Sequence, residues 1–221
     1  MKRIALLAGL ALAACGNAQV GDDVAEATPR TEVLSASSDR AEAIFAGGCF
    51  WCVESDFEKI PGVVEVISGY TGGTTDNPTY KEVTYKETGH YEAAKVIYDP
   101  SQVSYAELVD YYFRTIDPTD DRGQFCDKGS SYRTAIFATP EQMEAAQAEL
   151  EEVKATKPFN ATIVTPVLEA QAFYDAEDYH QDYYKTNAIK YKFYRQGCGR
   201  DARLKELWGD DAGKFVPLGE G

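Results

Sequence analysis

Two cysteines three residues apart, Cys49 and Cys52, stand where an apolar stretch meets paired glycines in Ala46-Gly47-Gly48-Cys49-Phe50-Trp51-Cys52-Val53-Glu54. Ile44 and Phe45 end a strand-like run, and Phe50, Val53, Phe57 and Ile60 recur at helical spacing. Cys49 is therefore expected at a helix N-terminus, where unpaired backbone N–H groups and the helix dipole favour an anion. A thiolate there is a nucleophile, and such a setting lowers a thiol from a pKa of about 8.5 toward roughly 4–7.

The Cys-x-x-Cys spacing alone also fits a thiol–disulfide exchanger, a rival enzyme class, although Phe50-Trp51 is a bulky pair to hold between exchanging thiols. Zinc has less support, because no second Cys-x-x-Cys completes a four-ligand set. A cysteine hydrolase needs a histidine base, and the chain has two histidines. His180 lies in a tyrosine-rich stretch and reads as structural. In Gly89-His90-Tyr91-Glu92, strand alternation puts His90 and Glu92 on one face. A carboxyl group enclosed by aromatic rings is raised in pKa and can stay protonated as an acid.

Gly48-Cys49-Phe50-Trp51, Gly89-His90-Tyr91-Glu92, Asp127-Lys128-Gly129-Ser130-Ser131-Tyr132-Arg133 and Tyr179-His180-Gln181 follow one another in that order. Together they resemble the motif set of the A-type peptide methionine sulfoxide reductases, over roughly Glu42 to Gly209. The resemblance implies that Cys49 attacks the sulfoxide sulfur and is left as sulfenic acid. It implies that Phe50 and Trp51 hold the S-methyl group and that Glu92 protonates the sulfoxide oxygen. Tyr80 and Tyr132 would donate further hydrogen bonds to that oxygen, and Asp127 would order the site. Among fifteen tyrosines, only their motif positions single these two out.

The resemblance further implies reduction of the S epimer, free or protein-bound, without metal, flavin or nucleotide. A second thiol then condenses with the sulfenic acid, and thioredoxin or a periplasmic thiol relay reduces the resulting disulfide. Cys198, in the flexible-looking Gly197-Cys198-Gly199, is the expected resolving thiol, with Cys52 and then Cys126 as alternatives. Tyr91 and Cys52 stand where the family more often has a small residue and a glycine.

The elements that must position these groups are readable in part. Glu42–Ala46, the Cys49 helix and Val63–Tyr70 suggest a βαβ-like unit, with Pro61 ending the helix. Thr79–Lys86 reads as a short helix or turn, and Glu92–Tyr98 as a strand. Ser104-Tyr105-Ala106-Glu107 has capping-box spacing and opens a helix over 104–115. Asp117 to Ser131 is a long loop, and Tyr132–Ala138 a strand. Thr139-Pro140-Glu141-Gln142 opens a helix to about Thr156. Ile163–Leu168 is a last strand and Ala176–Tyr184 a last helix. The expected fold is α+β: a two-layer sandwich of a mixed sheet with helices packed on it, of the ferredoxin-like type that the family resemblance implies.

The 221 residues suit one catalytic domain over 41–221, with a flexible C-terminal tail. Lys2-Arg3, an apolar run from Ile4 to Leu12 and Leu12-Ala13-Ala14-Cys15 resemble a bacterial lipoprotein signal over 1–14. That run is far shorter than the ~20 residues that span a bilayer. Cys15 would then carry the lipid, and 15–40, rich in Ala, Ser, Thr and Asp, would be a tether. An ordinary signal-peptidase site is the alternative, and both export the protein to the cell envelope, facing the periplasm. With 36 acidic against 22 basic residues and no basic run, nucleic acid is not an expected partner. A monomer is expected. A non-catalytic lipoprotein with a peptide-binding aromatic cleft is the remaining rival.

Overall fold

The computed structural model describes residues 40–217. Cys15 and the expected leader and tether up to residue 39 lie outside the described residues. β1 (Ala41–Gly47) leads to α1 (Phe50–Phe57), β2 (Val63–Thr71), α2 (Tyr80–Tyr85), β3 (Tyr91–Tyr98) and α3 (Tyr105–Arg114). The two-residue strands β4 (Gly123–Gln124) and β5 (Asp127–Lys128) form a hairpin in the long loop. β6 (Thr134–Ala138), α4 (Met143–Thr156), β7 (Val167–Glu169) and β8 (Phe173–Asp175) follow, then α5 (Tyr183–Thr186), α6 (Ala188–Gly197) and α7 (Arg200–Trp208).

The main sheet runs β7-β6-β1-β3-β2-β8, antiparallel except for the β6–β7 pair. The expected βαβ unit is present in split form. β1 and β2 run the same way, but β3 lies between them, antiparallel to both. Alternation then assigns faces. Phe45, Ala94 and Val96 meet α1, α3 and α4 in the main core, whereas Ala46, Tyr91, Ala93 and Phe137 cluster on the opposite face. Glu92 shares the face of Ala94, so it points toward α1, and Tyr91 points away.

The core fixes the strand end that carries the cysteines. Phe45 stacks between Phe57 and Tyr112 at 4.9 and 5.0 Å between ring centres. The buried Tyr112 hydroxyl donates to the Ala46 carbonyl at 2.6 Å. α3 begins at the capping box read from sequence, with Ser104 and Glu107 each holding the other's backbone N–H. Thr79 and Glu82 make the same reciprocal cap for α2.

Three expected elements differ. The strand at 163–168 shortens to β7, because Pro166 has no N–H to pair and Val164 N–H instead meets the Pro118 carbonyl. The helix at 176–184 is replaced by a short 3₁₀ turn, Asp178–His180, and by α5, since Asp182 adopts a left-handed conformation at φ 52°. Around Cys198, where the sequence suggests a flexible tail, α6 and α7 flank a two-residue break, Cys198-Gly199.

Candidate active site

Cys49 is the N-cap of α1, as its position after the glycines suggests. The preceding Gly48 has φ 79°, and a Cβ there would lie 2.5 Å from Cβ of Gln124. Only glycine fits that approach. Gln124, fully buried, is itself fixed by the backbone N–H and carbonyl of Asp117 at 2.8 Å each. Arg200, also buried, donates to the Gly47 and Thr115 carbonyls at 2.8 Å each. The turn into Cys49 is thus held from both the β4 hairpin and α7.

Cys49, Phe50, Trp51, Tyr80, Glu92, Asp127 and Tyr132, all singled out from sequence, line one cavity of about 70 Å³ together with Tyr194. Glu92 accepts the Phe50 backbone N–H at 3.2 Å, one of the otherwise unpaired donors of the α1 N-terminus. Burial raises its pKa to about 8, with Asp127 adding to the rise, against hydrogen bonds from Phe50 N–H and Tyr132. The carboxyl is therefore a neutral proton donor at pH 7. Tyr80 and Tyr132 are hydrogen-bonded to each other, and both phenols are raised, chiefly by burial and then by Glu92. They remain O–H donors aimed at the same space.

The aromatic wall is locked by residues outside the cavity. Trp51 stacks on Tyr183, with ring centres 3.8 Å apart and planes 9° from parallel. Its Nε1–H donates to Nδ1 of His180 at 3.1 Å. Burial lowers His180 to about 4, so the ring is neutral and can accept that bond. Its structural role, read from sequence, is to hold Trp51 and to pack on Phe50 at 4.8 Å. Gln181 pairs with both backbone groups of Ser68 at 3.0 and 2.9 Å, fixing this loop to β2. His90 lies outside the cavity, bonded to Thr75 O and Gly73 N at 2.7 and 3.2 Å.

The two thiols behave as a pair. Burial, then Cys52, then Glu92 push the Cys49 thiol up, opposed by its contact with the Tyr194 hydroxyl. Cys52 is lowered to about 6, chiefly by a hydrogen bond from Cys49 and, against its burial, by Arg200 and Arg195. The pair gives up its first proton near neutral pH and holds the second. Sequence reasoning assigns the depressed pKa to Cys49 alone through the helix terminus. The structure instead raises Cys49 and puts the depressed pKa on Cys52, because both thiols are buried in contact and two guanidinium groups sit behind Cys52.

Cys126 and Cys198 form a disulfide, with Cα atoms 4.8 Å apart. It adjoins the cavity through its neighbours. Asp127, next to Cys126, accepts a hydrogen bond from the hydroxyl of Tyr194, and the Tyr194 carbonyl accepts the Cys198 N–H at 2.9 Å. Tyr194 is a site residue that sequence reasoning missed, as are Glu54 and Glu177. Glu54 accepts from Ser68 Oγ and Asp182 N at 3.1 and 2.7 Å, and Glu177 from Tyr70 O–H and Tyr80 N at 2.9 Å each. A thiol with a ready proton acceptor in Cys52 behind it, a protonated carboxyl and phenol donors around one small apolar-walled space suit attack on an atom whose oxygen needs a proton.

The family model for peptide methionine sulfoxide reductase matches residues 41–212. The chain is similar to peptide methionine sulfoxide reductase MsrA 2 of Caulobacter vibrioides, 50% identical over 210 residues, covering 95% of this chain and 100% of that one. It is 56% identical over 170 residues to peptide methionine sulfoxide reductase MsrA 2 of Rhizobium meliloti, covering 77% and 84% of the two chains. Among solved structures it is similar to methionine sulfoxide reductase A of Corynebacterium diphtheriae, with TM-score 0.65 and 35% identity over 71% of this chain and 79% of that one.

Proposed function

The chain belongs to the peptide methionine sulfoxide reductase family and is a thiol-dependent reductase of methionine sulfoxide, and we propose that Cys49 is its nucleophile and Glu92 its acid. One observation carries this reading: Cys49 at the α1 N-cap and a protonated Glu92 on the Phe50 N–H share a cavity with the Tyr80–Tyr132 pair. The substrate's S-methyl group packs on Phe50 and Trp51, and its oxygen meets Glu92, Tyr80 and Tyr132. The Cys49 proton passes to Cys52 as the sulfur approaches. Cys49 then attacks the sulfoxide sulfur while Glu92 protonates the oxygen. That oxygen ends on Cys49 as sulfenic acid, and the thioether leaves reduced.

Cys198 thiolate next attacks the Cys49 sulfur, and the hydroxyl leaves with a proton as water. Cys126 thiolate attacks Cys198 in turn, freeing Cys49 and leaving the Cys126–Cys198 bond. Cys126 is exposed and Cys49 is 5% exposed, so this exchange brings the disulfide to where a thioredoxin-class dithiol can reach it. No prosthetic group takes part in these steps.

Methyl wall, oxygen donors and thiol make three fixed contacts around one tetrahedral sulfur, which only one epimer satisfies. The S epimer, free or on an exposed protein side chain, is the substrate. With dithiothreitol as reductant and chromatographic separation, the protein consumes the S epimer and leaves the R epimer at least ~10²-fold slower. Equal consumption of both would refute this placement of the oxygen and methyl sites.

We place the enzyme in a bacterial envelope, lipidated at Cys15 and facing the periplasm, where it repairs oxidised proteins as a monomer. Lys2-Arg3, the apolar run and Leu12-Ala13-Ala14-Cys15 support this assignment. Among the described residues no helix is long and apolar enough to cross a membrane.

A further inference from the structure

The substrate's methyl carbon and its oxygen are bonded to one sulfur, so the methyl wall and the oxygen donors act together only at a fixed separation. The two sides come from different parts of the chain, Trp51 from α1 and Tyr80 from the first residue of α2. Each is held by groups outside the cavity, and those groups meet at one side chain, Glu177.

The Glu177 side chain is 11% exposed, and its two oxygens have different partners. Oε1 accepts the backbone N–H of Tyr80 at 2.9 Å, a donor that the start of α2 leaves without a helical partner. Oε2 accepts the hydroxyl of Tyr70, on β2, at 2.9 Å and faces Nε2 of His180 at 3.8 Å. An indole N–H can only donate, so Nδ1 of His180, 3.1 Å from Trp51 Nε1, presents its lone pair. The neutral ring therefore keeps its proton on Nε2. That buried Nε2–H has no hydrogen-bond partner among the described residues. At 3.8 Å the Glu177 oxygen is too far for a hydrogen bond, but a carboxylate there favours the proton on Nε2 and leaves Nδ1 open to Trp51. The same ring packs on Phe50 and on Tyr80, with centres 4.8 and 4.6 Å apart, so its orientation bears on both sides of the cavity.

We infer that Glu177 is a positioning residue, which sets the Nε2–H tautomer of His180 and the start of α2 and thereby fixes the methyl wall relative to the oxygen donors. It acts through Trp51 and Tyr80 and touches no reacting atom. The inference rests on the proposed contacts of the methyl group with Trp51 and of the oxygen with Tyr80.

Glu177→Gln tests it with almost no change of shape. A carboxylate accepts on both oxygens, whereas an amide accepts on one. The Tyr80 backbone N–H can only donate, so it keeps the amide oxygen, and the NH₂ group turns toward Tyr70 and His180. The Tyr70 hydroxyl can accept from it. His180 is expected to move its proton to Nδ1, which sets two N–H groups against each other between His180 and Trp51 and releases the indole.

The chain has two histidines, so ¹⁵N-histidine spectra of the full chain report on few rings, and Overhauser contacts with Phe50 and Trp51 identify His180. The parent is expected to show the Nε2–H tautomer and the variant the Nδ1–H tautomer. In the first turnover of the pre-reduced chain, the variant's half-saturating concentration of methionine S-sulfoxide should rise about 10-fold and its maximal rate change by less than ~3-fold. A mere loss of folded protein would lower the amplitude and move neither the tautomer nor that concentration. An Nδ1–H ring in the parent, which is decided without the variant, or an Nε2–H ring in the folded variant would overturn the inference. A switched ring with an unchanged half-saturating concentration would instead remove the placement of the methyl group on Trp51.

Discussion

Cys49→Ser abolishes methionine formation, lowering kcat/KM by at least ~10⁴-fold, the scale seen when an enzyme loses its nucleophile. A serine hydroxyl fits the N-cap, and serine is among the preferred residues there, so α1 should form at least as well as in the parent. What disappears is the soft, ionisable sulfur. A hydroxyl does not share a proton with Cys52 near neutral pH, and an alkoxide is not reached in a cavity already crowded with Glu92 and Asp127. The variant should still bind methionine sulfoxide, because Phe50, Trp51 and the oxygen donors are untouched. Unchanged turnover with dithiothreitol in a correctly folded Cys49→Ser protein would exclude the assigned nucleophile. Turnover by the parent that the variant loses while it still binds separates this enzyme from a peptide-binding module.

Glu92→Gln lowers kcat/KM by roughly 10²–10⁴-fold at pH 7, the usual worth of a positioned general acid, equivalent to about 3–5 kcal/mol of transition-state stabilisation. The amide keeps a partner for the Phe50 N–H but delivers no proton. The pH profile carries the more specific signature. Glu92 acts as an acid only while protonated, so its contribution is full below about pH 8 and falls away as the pH rises through that value. The thiol pair must lose one proton, which it does near the lowered Cys52 value of about 6, so the rate also falls as the pH drops below that point. The parent should show a bell between those two limits in kcat/KM. The glutamine variant should lose the alkaline limb and keep the acidic one. A variant retaining both limbs would show that another group supplies the proton.

The catalytic half of the site was legible because its residues sit on regular elements. The glycine pair before an amphipathic run places Cys49 at a helix start, and strand alternation separates Glu92 from Tyr91. The capping box at Ser104 likewise announces α3. The closing half was not legible, for physical reasons that differ from residue to residue. α6 has Tyr191 as its one buried residue and is held instead by the ion pair of Arg195 with Asp56, so its sequence lacks an apolar stripe. Tyr194 is one tyrosine among many, and its role depends on Asp127 arriving from the β4–β5 hairpin. The Cys126–Cys198 bond joins positions 72 residues apart, a pairing that spacing does not determine. Asp182 breaks a plausible helix because its backbone N–H is taken up by Glu54, 128 residues earlier. Each of these is a long-range contact with no local periodicity to announce it.

The most direct test of the account is a variant in which Cys52, Cys126 and Cys198 are all serine, leaving Cys49 as the one domain cysteine. Folding is checked by its thermal melt. Mixed with excess methionine S-sulfoxide and dimedone, without reductant, it should release one methionine per chain and carry one dimedone adduct, on Cys49. Methionine release without an adduct on Cys49, or no release from the folded variant, would contradict the claim that oxygen passes from the substrate to this sulfur.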